Sequence, residues 1–308
     1  MDIRTLITSM IELFIIIFVG YFISKLKMVD ENFEKKFTRI ILDITLPFMI
    51  LSSVLTLEER QPVSDVITAI IIAAVLFFVL LPAVGFVLAK IIRAKNGQVA
   101  LYTFMNAYSN IGFMGLPVIS GLCGPTGLFY AAIFNLVFNL SIYTIGVWIM
   151  NKGAGSTEKF DPKSLLSFGV MLSFIAIIIY FLDIKVPVVI SDTIYSIGSI
   201  TSPAAMLLIG CSLAKMDIKS VFNEYRIYPW IIIKQIIVPL LLWFPLSFII
   251  KNEMLLTVTY ILISMPVANS AVLFATQCGG DTELAAKSVF LTTLFALITV
   301  PICIMLVM

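Results

Sequence analysis

Two short polar stretches in an otherwise apolar chain hold the residues with chemistry to offer. The first, NAYSNIGFMGLPV at 106–118, places Asn106, Ser109, Asn110, Gly112, Gly115 and Pro117 within a dozen positions. The second, SMPVANSAVLFA at 264–275, carries Ser264, Pro266, Asn269 and Ser270. Proline removes a backbone donor and clashes with the preceding turn, and glycine permits conformations other residues resist. Each stretch is therefore expected to interrupt a helix. An interrupted helix presents a new N-terminus carrying roughly half a positive charge. Two such ends converging form a site for an anion. Asn110, Asn269, Ser109 and Ser270 can donate to a carboxylate or accept from a polar substrate. The competing reading is a pair of proline kinks whose small residues let helices pack closely. Their occurrence in corresponding positions of two halves favours a transport site.

Three ionisable residues also fall inside apolar segments: Glu12, Asp43 and Lys234. Charge within a membrane is costly and points to function. Each lies six or seven residues inside its segment, about 10 Å at 1.5 Å per residue. Asp43 and Lys234 both enter from the same side, and are expected to pair in one conformation and separate in another. Lys234 could equally snorkel back to the surface. Glu12 is a candidate proton-sensing carboxylate, or a structurally paired or interfacial one. Asn135 and Asn139, four residues apart, share one helical face. They either line the site or bond between helices.

Other chemistries are excluded or unsupported. With no histidine, His-based metal sites, Ser-His catalysis and HExxH proteases are ruled out. The four cysteines, Cys123, Cys211, Cys278 and Cys303, lack metal-ligand spacing and read as packing residues. No GxxxxGK[ST] motif is present, so ATP is not the energy source. An intramembrane aspartyl protease needs GxGD, and CGGD at 278–281 has Cys278 where that motif needs glycine. Paired Asp-rich motifs for magnesium diphosphate are absent. No metal and no cofactor is expected.

The elements that must position these residues follow from composition. Of 308 residues, 60% are hydrophobic and 12% charged, against about 25% charged in a soluble domain. The apolar material comes in blocks near the ~20 residues needed to cross hydrocarbon as a helix. It lacks the two-residue alternation of a membrane barrel. The fold class is thus an all-α integral membrane protein. Ten spans are expected, roughly 5–26, 36–56, 65–92, 97–122, 127–150, 164–182, 188–214, 226–250, 254–278 and 282–306. The first runs into Lys25 and Lys27 rather than a small-residue cleavage site, and reads as a retained helix. One set of alternating loops carries 15 Lys and Arg, the other set with both termini carries 4, and Lys234 is the remaining one. The basic loops should be cytoplasmic and both termini outside. Orientation accounts for these charges without a nucleic-acid partner.

The halves 1–150 and 164–308, joined by a hydrophilic linker at 151–163, echo each other. TLPFMILSSVL at 45–55 resembles TSPAAMLLIGCSL at 201–213, pairing Pro47 with Pro203, and Pro82 pairs with Pro239. Five spans per half is odd, so equivalent helices run in opposite directions. Such an inverted repeat is the arrangement many secondary transporters use for alternating access.

NIGFMGLPV, SMPVANSAVLFATQCGGD and PAAMLLIGCSL together resemble the auxin efflux carrier family, bacterial members and PIN-type plant carriers alike. The resemblance covers essentially the whole chain, without the long cytoplasmic loop of many plant members. It implies a ten-helix fold related to the bile acid sodium symporters. Spans 1, 2, 6 and 7 would form a scaffold, and spans 3–5 and 8–10 a mobile domain. Their broken helices 4 and 9 would cross, with Asn110, Gly112 to Pro117, Pro266 and Asn269 at the crossover. It also implies a homodimer in the cell membrane. The expected function is elevator-type transport of small organic anions. The sodium symporters hold sodium with acidic and amide side chains, and the two broken stretches here contain no carboxylate. A proton-linked or uncoupled carrier therefore fits better than a sodium-coupled one. An intramembrane enzyme or a channel is the alternative of a different class.

Overall fold

In the computed structural model, residues 3–57, 59–154, 168–182, 184–215 and 224–307 are described. The regular elements among them are all helical. They are α1 (Ile3–Lys25), α2 (Asn32–Leu55), α3 (Val63–Ile91), α4 (Val99–Ala107), α5 (Ile111–Gly153), α6 (Phe168–Leu182), α7 (Val188–Ala214), α8 (Ile227–Ile249), α9 (Glu253–Ser264), α10 (Ser270–Cys278) and α11 (Thr282–Val307). Six of these, α2, α3, α5, α7, α8 and α11, are long and apolar enough to cross a membrane. Helices suit that setting because every backbone bond closes within the segment. The linker at 151–163 is helical as far as Ala154, and its remainder lies outside the described residues.

The chain divides into two compact units. The first contains Met1–Val66, Gly112–Leu136 and Leu166–Met216. In it α1 and α7 approach so closely that a Cβ on Gly20 would land on the Leu207 carbonyl oxygen. A Cβ on Gly210 would likewise strike the Ile17 carbonyl oxygen. Small residues at helix contacts are how membrane helices gain packing without a hydrophobic drive. The Cys211 thiol donates to Gly20 O at 3.3 Å across the same contact. Glu34 and Lys215 form an ion pair at 2.9 Å. Within α5, Gly124 takes φ +60 ahead of Pro125, and the helix bends there.

The second unit contains Ile67–Ile111, Val137–Leu165 and Asp217–Met308. Two of its proline-bearing helices, α3 and α8, share a backbone device. In α3 a wide π turn at Leu76–Leu80 precedes Pro82, and in α8 a π turn at Ile233–Ile237 precedes Pro239, 157 residues later. Proline cannot donate to the turn before it, so carbonyls are left over. Ser141 Oγ donates to Phe77 O at 2.9 Å, and Cys303 Sγ donates to Gln235 O at 3.0 Å. Asn106 Nδ2 serves Leu81 O at 3.1 Å. The outward face of α8 carries Leu241, Phe244 and Phe248, all exposed, while Lys234 and Gln235 point inward and are 2% and 0% exposed. A helix apolar outside and polar inside is suited to lipid rather than water.

Candidate functional site

α4 stops at Ala107 and α5 starts at Ile111; α9 stops at Ser264 and α10 starts at Ser270. The two helix ends, Ala107 and Ser264, are again 157 residues apart. Between them the extended segments pair with each other. Ser109 and Val267 form an antiparallel bridge. Asn110 N donates to Pro266 O at 2.7 Å and Ala268 N donates to Tyr108 O at 3.2 Å. Groups released by each break are thus satisfied by the other, as burial demands. Pro266 has no N–H to lose, and its carbonyl is the acceptor.

Four side chains from α8 and α11 complete this arrangement. Thr292 Oγ1 accepts from Val267 N at 3.1 Å and itself donates back to Ser288 O at 2.7 Å. Gln235 Nε2 donates to Thr292 O at 2.8 Å, and Thr299 Oγ1 donates to Gln235 Oε1 at 3.3 Å. Lys234 Nζ donates to Ser109 Oγ and to Met265 O, both at 3.0 Å. The π turn presents Lys234 and Gln235 in succession to the interior, the former to the break and the latter to α11. On the other side, the Tyr108 hydroxyl lies 2.9 Å from Ser141 Oγ. Because Ser141 gives its proton to Phe77 O, the tyrosine is the donor.

The sequence-derived candidates separate into distinct settings. Ser109, Asn110 and Pro266 are buried in the paired segments. Asn269 caps α10 and is exposed, with no capping bond from its side chain. Ser270 opens α10, and its enclosed Oγ has no hydrogen-bond partner among the described residues. Asn139, half-buried, belongs to the same unit. Gly112, Gly115, Pro117 and Asn135 belong to the first unit. There Pro117 borders a cavity of about 340 Å³ together with Met49, Ser52, Ser120, Gly198 and Ser202. A Cβ on Gly112 would meet only Leu46 Cδ2, at 3.7 Å, so the position has room for a side chain.

The three charged candidates differ more. Asp43 sits in a π turn at Ile41–Thr45, is exposed, and pairs with Arg39 one turn back at 3.4 Å. Glu12 is exposed on α1. Lys234 does not snorkel: its ammonium is enclosed and spent on the break. Thr292, Gln235, Tyr108 and Ser141 were not singled out by sequence. Gln235 and Thr292 left a signal there all the same, as polar residues inside strongly apolar segments.

Among the described residues no group of three or more Cys, Asp or Glu is placed to hold a metal ion. The arrangement offers two helix N-termini, at Ile111 and Ser270, each within three residues of the bridge. Ser270 opens α10 beside the paired segments, and a helix N-terminus favours a negatively charged group.

Comparison with known proteins gives a consistent result. A model for the family described as "Membrane transport protein" matches residues 5–304. An uncharacterized transporter of Methanocaldococcus jannaschii is 26% identical over 297 residues, covering 93% of this chain and 94% of the relative. The Escherichia coli K12 transporter YfdV is 21% identical, covering 96% of each. A Rhizobium meliloti protein named "Putative malonate transporter" is 25% identical over 301 residues, covering 92% of this chain and 90% of the relative.

Proposed function

Because the chain belongs to the membrane transport protein family, that of the auxin efflux carriers, we propose that it is a secondary carrier of small organic anions. It works as a carrier and not an enzyme. The observation that carries this reading is the backbone pairing of two broken helices, Asn110 N to Pro266 O and Ala268 N to Tyr108 O. Irregular backbone at membrane depth is tolerated where it is buried in protein or lines a wet cavity, and in carriers it marks the substrate site.

The substrate carboxylate sits against the N-termini at Ile111 and Ser270. Asn110, Asn269 and the unpartnered Ser270 hydroxyl donate to it. Asn139, in the same unit, shapes the surroundings. The malonate named for the Rhizobium relative supports a small carboxylate. Ten spans arranged as a five-plus-five inverted repeat give the fold. The shared 157-residue spacing of the π turns, their prolines and the helix breaks supports that repeat. Spans 1, 2, 6 and 7 act as a dimeric scaffold, and spans 3–5 and 8–10 move as an elevator. The grouping of α1, α2, α6 and α7 in one unit and α3, α4 and α8 to α11 in the other supports this division. Gly112–Leu136, grouped with the first unit, departs from it. Both termini face outside the cell membrane.

The test is electrical. On a solid-supported membrane, the reconstituted protein is expected to give a current or substrate exchange with malonate or another small carboxylate. Asn110→Ala or Asn269→Ala should lower apparent affinity about tenfold, the value of one charge-assisted hydrogen bond. Neither current nor exchange with any carboxylate, from folded protein, would overturn the reading.

A further inference from the structure

The same crossing brings two helix C-termini together. α4 ends at Ala107 and α9 at Ser264, and their next residues flank the Ser109–Val267 bridge. A helix C-terminus carries roughly half a negative charge and leaves carbonyls without donors. In carriers with broken helices, such ends and the unwound carbonyls beside them are where a coupling cation is held. Here the position is already taken by a basic side chain. Lys234 Nζ lies 3.0 Å from Met265 O, at the cap of α9, and 3.0 Å from Ser109 Oγ, just past the cap of α4. The side chain is 2% exposed, and no carboxylate pairs with it among the described residues.

We infer that Lys234 is the tethered occupant of a monovalent-cation site, its ammonium standing where a dissolved sodium or ammonium ion would otherwise be held by oxygens of both breaks. The ligands are a carbonyl and a hydroxyl, neutral hard oxygens that suit an alkali or ammonium ion and not a soft metal. An ordinary buried capping lysine would make the same two bonds. The two roles differ in what happens when the side chain is shortened. A cap leaves a hole, whereas a cation site leaves a hole that a soluble cation refills. The inference rests on the proposed function only for its consequence, that transport needs no dissolved cation at this point.

The experiment uses the full chain in lipid nanodiscs and reads thermal unfolding in choline, sodium, potassium or propylammonium chloride at one ionic strength. Wild type is expected to melt at the same temperature in all four. Lys234→Ala should melt lower in choline and recover by roughly 3–10 °C in sodium or propylammonium, as a ligand bound only to the folded state requires. Lys234→Met, which fills the space without charge, should show no recovery. A Lys234→Ala protein that melts alike in all four salts overturns the inference, and so does a wild type that sodium stabilises equally. Should Lys234→Ala be recovered unfolded from choline, folded protein on extraction in propylammonium supports the site. Failure to fold in every salt counts against it. Melting does not depend on substrate, so a wild type that moves no carboxylate would overturn the proposed function and leave this result standing.

Discussion

The π turns of α3 and α8 use one backbone design for two purposes. Both span five residues, both precede a proline, and both hand a leftover carbonyl to a side chain from a neighbouring helix. They differ at their second residue. In α3 it is Phe77, whose ring meets Phe138 edge-on at 5.5 Å. In α8 it is Lys234, whose ammonium reaches both broken segments. One turn is held by packing and the other by hydrogen bonds. A repeated architecture therefore duplicates scaffolding without duplicating chemistry, and the asymmetry locates where the chemistry is concentrated.

The harshest way to break the comparison is to make the first turn like the second. Phe77→Lys places an ammonium at a site that is 3% exposed and served by aromatic rings. An uncompensated buried charge costs about 3–5 kcal/mol, and the variant is expected to be recovered unfolded, as gel filtration in detergent would reveal. The reverse change is milder. Lys234→Met leaves Met265 O without its donor, and should lower stability by about 1–3 kcal/mol in a thermal melt.

Thr292→Val sharpens the contrast between the two breaks, because it removes the acceptor of Val267 N alone. About 1–2 kcal/mol is expected. Hydrogen exchange should quicken at Val267 more than at Asn110, whose N–H has Pro266 O. Equal quickening would mean the paired segments open as one. Ser141→Ala should cost about 1 kcal/mol by orphaning Phe77 O. Tyr108→Phe, losing one hydroxyl that donates to Ser141, should cost about 0.5–1 kcal/mol. If Tyr108→Phe proved the more damaging of the two, the Phe77 carbonyl would not be what Ser141 is for.

Much of the fold could be read from the chain alone. The apolar blocks announce an all-helical membrane protein, and the breaks at 108–110 and 265–269 fall where Gly, Pro and Asn cluster. What joins those breaks could not be read, since Asn110 and Pro266 are 156 residues apart and their bond is between backbones. Backbone pairing has no side-chain signature. The charged candidates show a second limit. Counting residues from a span end puts Asp43 and Lys234 at equal depth. One proves exposed and paired with Arg39, the other enclosed at the break. Counting gives height along an axis, whereas burial depends on which face the side chain leaves from. Gln235 and Thr292 stand out as polar residues in apolar segments, but that signal does not say what they face. Their position next to Lys234 and opposite Val267 is a property of the packed unit.

The pairing of Tyr108–Asn110 with Pro266–Ala268 also has a consequence for the making of the protein. Ribosomes add about 5–20 residues per second. The first broken segment is therefore made some 8–30 s before the second exists. During that interval its carbonyls and N–H groups cannot face lipid unsatisfied. Nascent chains halted between residues 111 and 266 should keep Ser109→Cys reactive to a water-soluble thiol reagent, and completion of α9 and α10 should abolish that reactivity. The crossing is then a checkpoint in biogenesis: the ninth span decides when the fourth leaves the company of water.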